Sequence, residues 1–116
     1  MGIGPVIETP RLILRPPAAE DFPGFCALMG DEASARFIGG VQEPAVVWRN
    51  LCSVTGAWTI RGFSMFSVVE KASGQWIGRL GPWQPEGWPG TEVGWGLLTS
   101  AQGRGYAIEG ASAAMD

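Results

Sequence analysis

Gln102-Gly103-Arg104-Gly105-Tyr106-Ala107 lies between an apolar run, Val93 to Leu98, and a segment from Ile108 to Met115 with the composition of a helix. A strand, a glycine-bearing turn and a helix start, in that order, make an anion site. The first N–H groups of a helix have no intrahelical partner, and the helix dipole places partial positive charge there. Glycines at 103 and 105 remove the Cβ atoms that would hold an anion away from those groups. Taken alone, the same pattern also describes a plain turn, so its surroundings must decide.

Working outward, Thr91 to Leu98 reads as the strand that feeds the turn, and Gln84 to Gly90 as a loop before it. Phe63 to Glu70 and Gln75 to Trp83 read as strands joined by a hairpin at Lys71-Ala72-Ser73-Gly74, with Pro82 and Pro85 ending the second. Further back, Val47, Leu51, Val54 and Trp58 are spaced four, three and four. They predict a helix with Pro44 at its first position, running to about Arg61 and closed by Gly62. Phe22, Phe25, Cys26 and Met29 predict an earlier helix, with Glu20 and Asp21 in its first turn and Gly30 at its end. Ala33 to Glu43 is expected to be a loop, and Met1 to Pro10 a lead-in to a short strand, Arg11 to Arg15, stopped by Pro16-Pro17. Strand, two helices, three antiparallel strands and a helix form an α+β pattern. A doubly wound nucleotide-binding fold fits poorly, because the helices do not alternate with the strands.

Composition narrows the function. The chain has 116 residues, enough for one domain, and a net charge of −3 argues against a general nucleic-acid binder. Histidine is absent from the sequence, which removes histidine triads and histidine metal sites; two scattered cysteines do not make a zinc site. No metal is expected. Cys26 and Cys52 are expected to be buried free thiols. With no signal-like segment and no apolar run of membrane-spanning length, a cytoplasmic protein is the expectation, without membrane or nucleic-acid partners. The six tryptophans read first as core fillers.

Gln102-x-x-Gly105-x-Ala107 resembles the Gln/Arg-x-x-Gly-x-Gly/Ala motif of the GNAT superfamily of acetyl-CoA-dependent N-acetyltransferases. Thr9-Pro10-Arg11-Leu12-Ile13-Leu14-Arg15 is similar to the first strand of the branch that acetylates ribosomal-protein N-termini. Trp76-Ile77-Gly78-Arg79-Leu80-Gly81 resembles its third strand and Glu92-Val93-Gly94-Trp95-Gly96-Leu97 its fourth, in family order. The resemblance implies a GNAT fold, with a mainly antiparallel sheet flanked by helices. It also implies acetyl transfer from acetyl-CoA to a primary amine, either a protein N-terminus or a small molecule.

The diphosphate of acetyl-CoA is expected on the backbone N–H groups of Gly103, Arg104, Gly105, Tyr106 and Ala107, with Gln102 also cofactor-binding, and the resemblance implies that the pantetheine arm pairs with Gly96, Leu97 and Leu98. A backbone N–H near Leu97 would polarise the thioester carbonyl. Glu92 is the candidate general base, and Glu109 is read as complementing the helix dipole. Phe37, Ile38, Trp48, Trp83, Trp88 and Trp95 are candidate acceptor-pocket residues. GNAT domains continue past this point with a fifth strand, a tyrosine-bearing helix and a closing hairpin. The expectation is therefore a single incomplete domain over 1–116, with the general acid unassigned and the edge of its fourth strand open to self-association. A non-catalytic acyl-CoA-binding or scaffold domain is the alternative reading.

Overall fold

Along Leu12-Ile13-Leu14-Arg15, buried and half-buried residues alternate, the period-two pattern of a strand with one face on a core. In the computed structural model, which describes residues 4–30, 42–83 and 92–114, this segment is the second strand of a five-stranded sheet. The strands are β1 (Ile7–Glu8), β2 (Leu12–Arg15), β3 (Phe66–Glu70), β4 (Trp76–Trp83) and β5 (Glu92–Leu97). They lie in sequence order, and every neighbouring pair is antiparallel. The helices are α1 (Phe22–Gly30), α2 (Pro44–Arg61) and α3 (Tyr106–Ala114). The expected α+β architecture is what forms.

Alternation along β4 sends neighbouring side chains to opposite layers. Leu80 packs under Gly110 of α3, while Arg79 reaches Asn50 on α2 and Phe25 on α1. One core, with Leu12, Leu14, Phe66, Val68, Leu80, Leu97 and Tyr106, fills the α3 side. Trp58, near the end of α2, joins it against Phe66, with ring centroids 4.9 Å apart. A second core, Phe25, Met29, Val47 and Leu51, lies between α1 and α2 and is backed by Trp76. No helix among the described residues is long and apolar enough to cross a membrane.

Several boundaries differ from the sequence reading, each for a physical reason. The lead-in contains β1, which pairs with β2 through a tight turn: the Leu12 N–H donates to Thr9 Oγ1, and the Thr9 N–H to the Leu12 carbonyl. Phe63 to Met65 stay outside the β3 ladder because α2 claims them. Ser64 Oγ donates to the Val54 carbonyl at 2.7 Å and Trp58 Nε1 to the Met65 carbonyl at 3.0 Å. β4 reaches Trp83, its expected end, with Pro82 lying inside it. The β3 partner stops opposite Leu80, so Pro82 has no ladder on that side that needs its missing N–H. Glu20 and Asp21 fall in a 3-10 turn, Ala19–Asp21, just ahead of α1. Both cysteines are free, but Cys26 is only half-buried and Cys52 is exposed, one position past the buried Leu51. The expected loops at 33–43 and 84–90 fall almost entirely outside the described residues.

Asp21 pins α1 to the sheet. Its carboxylate takes two bonds from Arg15 at 2.8 and 2.9 Å, one from Ser67 Oγ at 2.7 Å and one from the Ala18 N–H at 2.9 Å. Ser67 Oγ in turn accepts from Trp76 Nε1 at 3.0 Å. Burial works to raise the Asp21 carboxyl, but the bonds from Arg15, Ser67 and Ala18 together outweigh it and hold the group below its ordinary value. A depressed folded-state value gives stability that is present above the unfolded value and is lost as pH falls through the folded one. Asp21→Asn is therefore expected to cost about 3 kcal/mol at pH 7 by leaving Arg15 unpaired. Urea unfolding should show that gap narrowing as pH falls from about 4, where the carboxyl of the unfolded chain begins to protonate, through the lower folded-state value.

Candidate functional site

From the end of β5 the chain passes through a 3-10 turn, Thr99–Ala101, and reaches Gly103 and Gly105 before α3 begins. Both glycines have left-handed backbone, with φ of 78° and 77°. A Cβ at Gly103 would meet nothing within 4 Å, and one at Gly105 only Arg11 Nη2 at 3.5 Å. Backbone conformation, rather than crowding within the chain, is what demands glycine here. The first intrahelical bond runs from the Glu109 N–H to the Gly105 carbonyl at 3.1 Å. The N–H groups of Tyr106, Ala107 and Ile108 precede it, at the positive end of a nine-residue helix.

The turn is fastened to the sheet from below. Glu109 accepts from Thr9 Oγ1, from the Arg11 N–H at 3.0 Å and from Arg11 Nε at 2.7 Å. Arg11 Nη1 donates to the Arg104 carbonyl at 2.9 Å, and its guanidinium lies 4.4 Å from the centroid of the Tyr106 ring. Tyr106 Oη donates to Glu70 Oε2 at 2.7 Å, and the Arg104 side chain stands 3.6 Å from the same oxygen. The bonds from Thr9 and Arg11 keep the Glu109 carboxyl below its ordinary value, and those from Ser73 and Tyr106 do the same for Glu70. Both stay ionised at neutral pH, each matched by an arginine.

Strand β5 is an edge of the sheet among the described residues. The Leu98 N–H donates to the Ile77 carbonyl at 2.8 Å, so Ile77 and Leu98 form a hydrogen-bonded pair. Antiparallel ladders alternate, which makes Gly78 and Leu97 a pair without such bonds and turns the Leu97 N–H toward the open edge. Gln102 Nε2 takes the Leu97 carbonyl at 3.1 Å, tying the turn to the strand. The two strands meet closely: a Cβ on Gly78 would come within 2.3 Å of the Gly96 carbonyl oxygen. Only glycine keeps Leu97 at this distance from β4.

The residues singled out from sequence do not all fall together. Gly96, Leu97, Leu98 and Gln102 to Ala107 are contiguous around the strand end and helix start. Within that group, the Gln102 side chain is spent on Leu97, the Tyr106 side chain is buried against Glu70, and Arg104 is largely exposed. Glu92 opens β5; five residue steps at about 3.3 Å separate it from Leu97, roughly 17 Å along the strand. Trp48 projects from α2 and is 45% exposed, with its ring edge-on to Phe22 at 5.2 Å. Trp83 and Trp95 belong to β4 and β5, where Trp83 pairs with Glu92 and Trp95 with Leu80. Phe37, Ile38 and Trp88 lie outside the described residues.

Sequence reasoning missed Thr9 and Arg11 as the clamp on the turn, and it read Glu109 as serving the helix dipole alone. The signal was faint, since contacts across nearly 100 residues leave no local pattern. Arg79, 7% exposed in the middle of β4, was also passed over. A charged residue inside an apolar strand run was the available cue.

Comparison with known proteins agrees with this fold. The profile of the acetyltransferase (GNAT) domain matches residues 11–116. Among solved structures, an acetyltransferase from Agrobacterium tumefaciens str. C58 superposes with a TM-score of 0.88 at 33% identity, covering 97% of this chain and 65% of that one. A protein described as a GNAT-family acetyltransferase from Bordetella pertussis gives a TM-score of 0.80 at 26% identity, over 96% of this chain and 69% of that one. A GNAT-family acetyltransferase from Bacillus anthracis shares the fold at 20% identity, with a TM-score of 0.78 over 96% of this chain and 64% of its own. No curated protein matches. The chain thus spans about two-thirds of the length of the solved relatives. On the domain profile and the shared architecture, the chain belongs to the GNAT acetyltransferase family.

Proposed function

We propose that this chain binds acetyl-CoA and serves an N-acetyltransferase that acetylates a primary amine, at a protein N-terminus or on a small molecule. One observation carries the reading. The Leu97 N–H at the open edge of β5 and the N–H groups of Tyr106, Ala107 and Ile108 at the start of α3 are donors on one continuous rim. A molecule with an amide-bearing arm ending in a diphosphate matches donors arranged in that way.

The residues present fit such a ligand. Left-handed Gly103 and Gly105 leave the helix start uncovered, and a Cβ-free Gly103 has open space around it. Arg104, with its side chain 57% exposed, is placed to add a charge contact. Acetyl-CoA, when bound, supplies an acetyl thioester. The Leu97 N–H then acts as the donor to the thioester carbonyl, a preorganised dipole where negative charge develops. Gly96 and Leu98, whose N–H groups point into the ladder, hold that strand straight beside it.

Glu92 is the proposed base. Its distance along β5 from Leu97 means that a proton reaches it through water. An α-amine, with a pKa of about 7.7–8.0, needs less help than a lysine at about 10.4, so the relay suits an N-terminal or similarly acidic ammonium. One observation favours the second reading, a non-catalytic acyl-CoA-binding domain. Tyr106 is buried and hydrogen-bonded to Glu70, and so is not free to protonate a leaving thiolate.

Two experiments test the proposal. Valine at Gly103 and Gly105 forces a β-branched residue into left-handed backbone, at about 1–3 kcal/mol each. Calorimetric titration with CoA should show affinity lower by tenfold or more in the double variant, with a wild-type circular dichroism spectrum. Unchanged affinity would remove the turn from the site. Glu92→Gln should leave CoA affinity alone while lowering kcat about 10²-fold, with residual activity rising toward high pH. A variant with normal kcat would show that another group takes the proton.

A further inference from the structure

Arg79 occupies the middle of β4 on the side covered by α1 and α2. Nη1 donates to Asn50 Oδ1, and the guanidinium carbon lies 5.6 Å from the centroid of the Phe25 ring. Its Nε is buried and has no hydrogen-bond partner among the described residues. Burial pushes the pKa down to about 10, which leaves the group charged at neutral pH.

No ion pair reaches it among the described residues, whereas Arg11, Arg15, Lys71 and Arg104 each face a carboxylate. Asp21, the buried acid of the same face, is committed to Arg15, Ser67 and the Ala18 N–H. A guanidinium withdrawn from water without an acid is strongly disfavoured, and an apolar side chain of similar length would fill the space without that penalty. Such a charge is readily explained when an anion arrives from outside the fold.

Its unpartnered Nε indicates which anion. With Nη1 on Asn50, the unpartnered Nε heads the side of the guanidinium that presents two parallel N–H groups, the fork that matches the two oxygens of a carboxylate. Its place indicates when that anion is needed. Arg79 pairs across the ladder with Gly96, one residue from Leu97.

We infer that Arg79 binds the carboxylate of the acceptor, and that the acceptor is therefore a small amine carrying its own carboxylate, of the amino-acid class. Naming the ligand an acceptor rests on the acetyltransferase reading; carboxylate binding at Arg79 does not.

The test uses L-amino acids and their carboxamides as matched pairs on the full chain, read in two ways. In nitrogen-15-labelled protein, the acids should shift the Arg79 Nε–H resonance and the amides should not. In acetyl transfer, kcat/KM should favour the acids about 10- to 100-fold. That ratio should fall toward one in Arg79→Met and be partly kept in Arg79→Lys. Amides that match acids in both readouts, or a preference that survives Arg79→Met, would overturn the inference. So would inorganic phosphate producing the same shift as the acids, which would make the site a general anion site. Should Arg79→Met fail to fold, the wild-type titration and Arg79→Lys decide. A carboxylate-specific shift without any transfer would uphold Arg79 while sinking the acetyltransferase reading. Transfer without carboxylate preference would do the reverse.

Discussion

The carboxylate of Glu109 reaches back from the first turn of α3 to Thr9 and Arg11, which lie 100 and 98 residues earlier. Because Arg11 also holds the Arg104 carbonyl and stacks on Tyr106, this contact fixes where the helix start sits relative to the sheet. An anion site made of backbone N–H groups has no side chains with which to correct its aim, so it depends on such a clamp. Its charge-assisted bonds are the stronger kind, and the depressed Glu109 pKa means that they persist at neutral pH and weaken only in acid. The same carboxylate lies in the first turn of α3, where negative charge suits the helix dipole.

The second constraint is the close approach of β4 and β5. Gly78 brings the strands together where the Gly96 carbonyl leaves no room for a Cβ, and the ladder bond at Leu98 sets the phase that turns the Leu97 N–H outward. A one-residue slip would point that N–H into the sheet and present Leu98 instead. Leu97 itself is held twice, by its buried side chain in the α3-side core and by Gln102 on its carbonyl. The outward donor is thus rigid because everything else about its residue is engaged.

Much of this was legible in the sequence, and the reason differs by element. α2 was readable because Val47, Leu51, Val54 and Trp58 repeat at helical spacing between Pro44 and Gly62, and those four residues are its buried ones. The hairpin of β3 and β4 was readable from Lys71-Ala72-Ser73-Gly74. β1 was not, because two residues carry no period and its pairing depends on Thr9 bonding to Leu12. The end of β4 at Trp83 was readable too, but why Pro82 is tolerated inside it depends on where β3 stops, a fact of tertiary structure. At the proposed site, the turn at Gly103 and Gly105 was legible from its place between a strand and a helix, while Leu97 came only through the family resemblance. Tyr106 was visible too, but its side chain answers to Glu70, which no local pattern could tell.

The placement of charge explains why, in the proposed site, backbone rather than basic side chains would do most of the anion binding. The chain has eight lysines and arginines against eleven acids. Arg11, Arg15, Lys71 and Arg104 already face Glu109, Asp21, Glu8 and Glu70. A diphosphate brought near this acidic protein meets little free positive charge at long range, so attraction has to come from dipoles at contact distance. The N–H groups at the start of α3 would supply them in the proposed site, where Gly103 and Gly105 carry no side chain. Arg79, which meets no ion pair among the described residues, stands apart from these four, and its burial on the opposite face of the sheet separates it from the proposed diphosphate end. The two anion-seeking features are therefore separate in kind and in place: a rim of neutral dipoles suited to a large, hydrated diphosphate, and one dry guanidinium suited to a single small carboxylate.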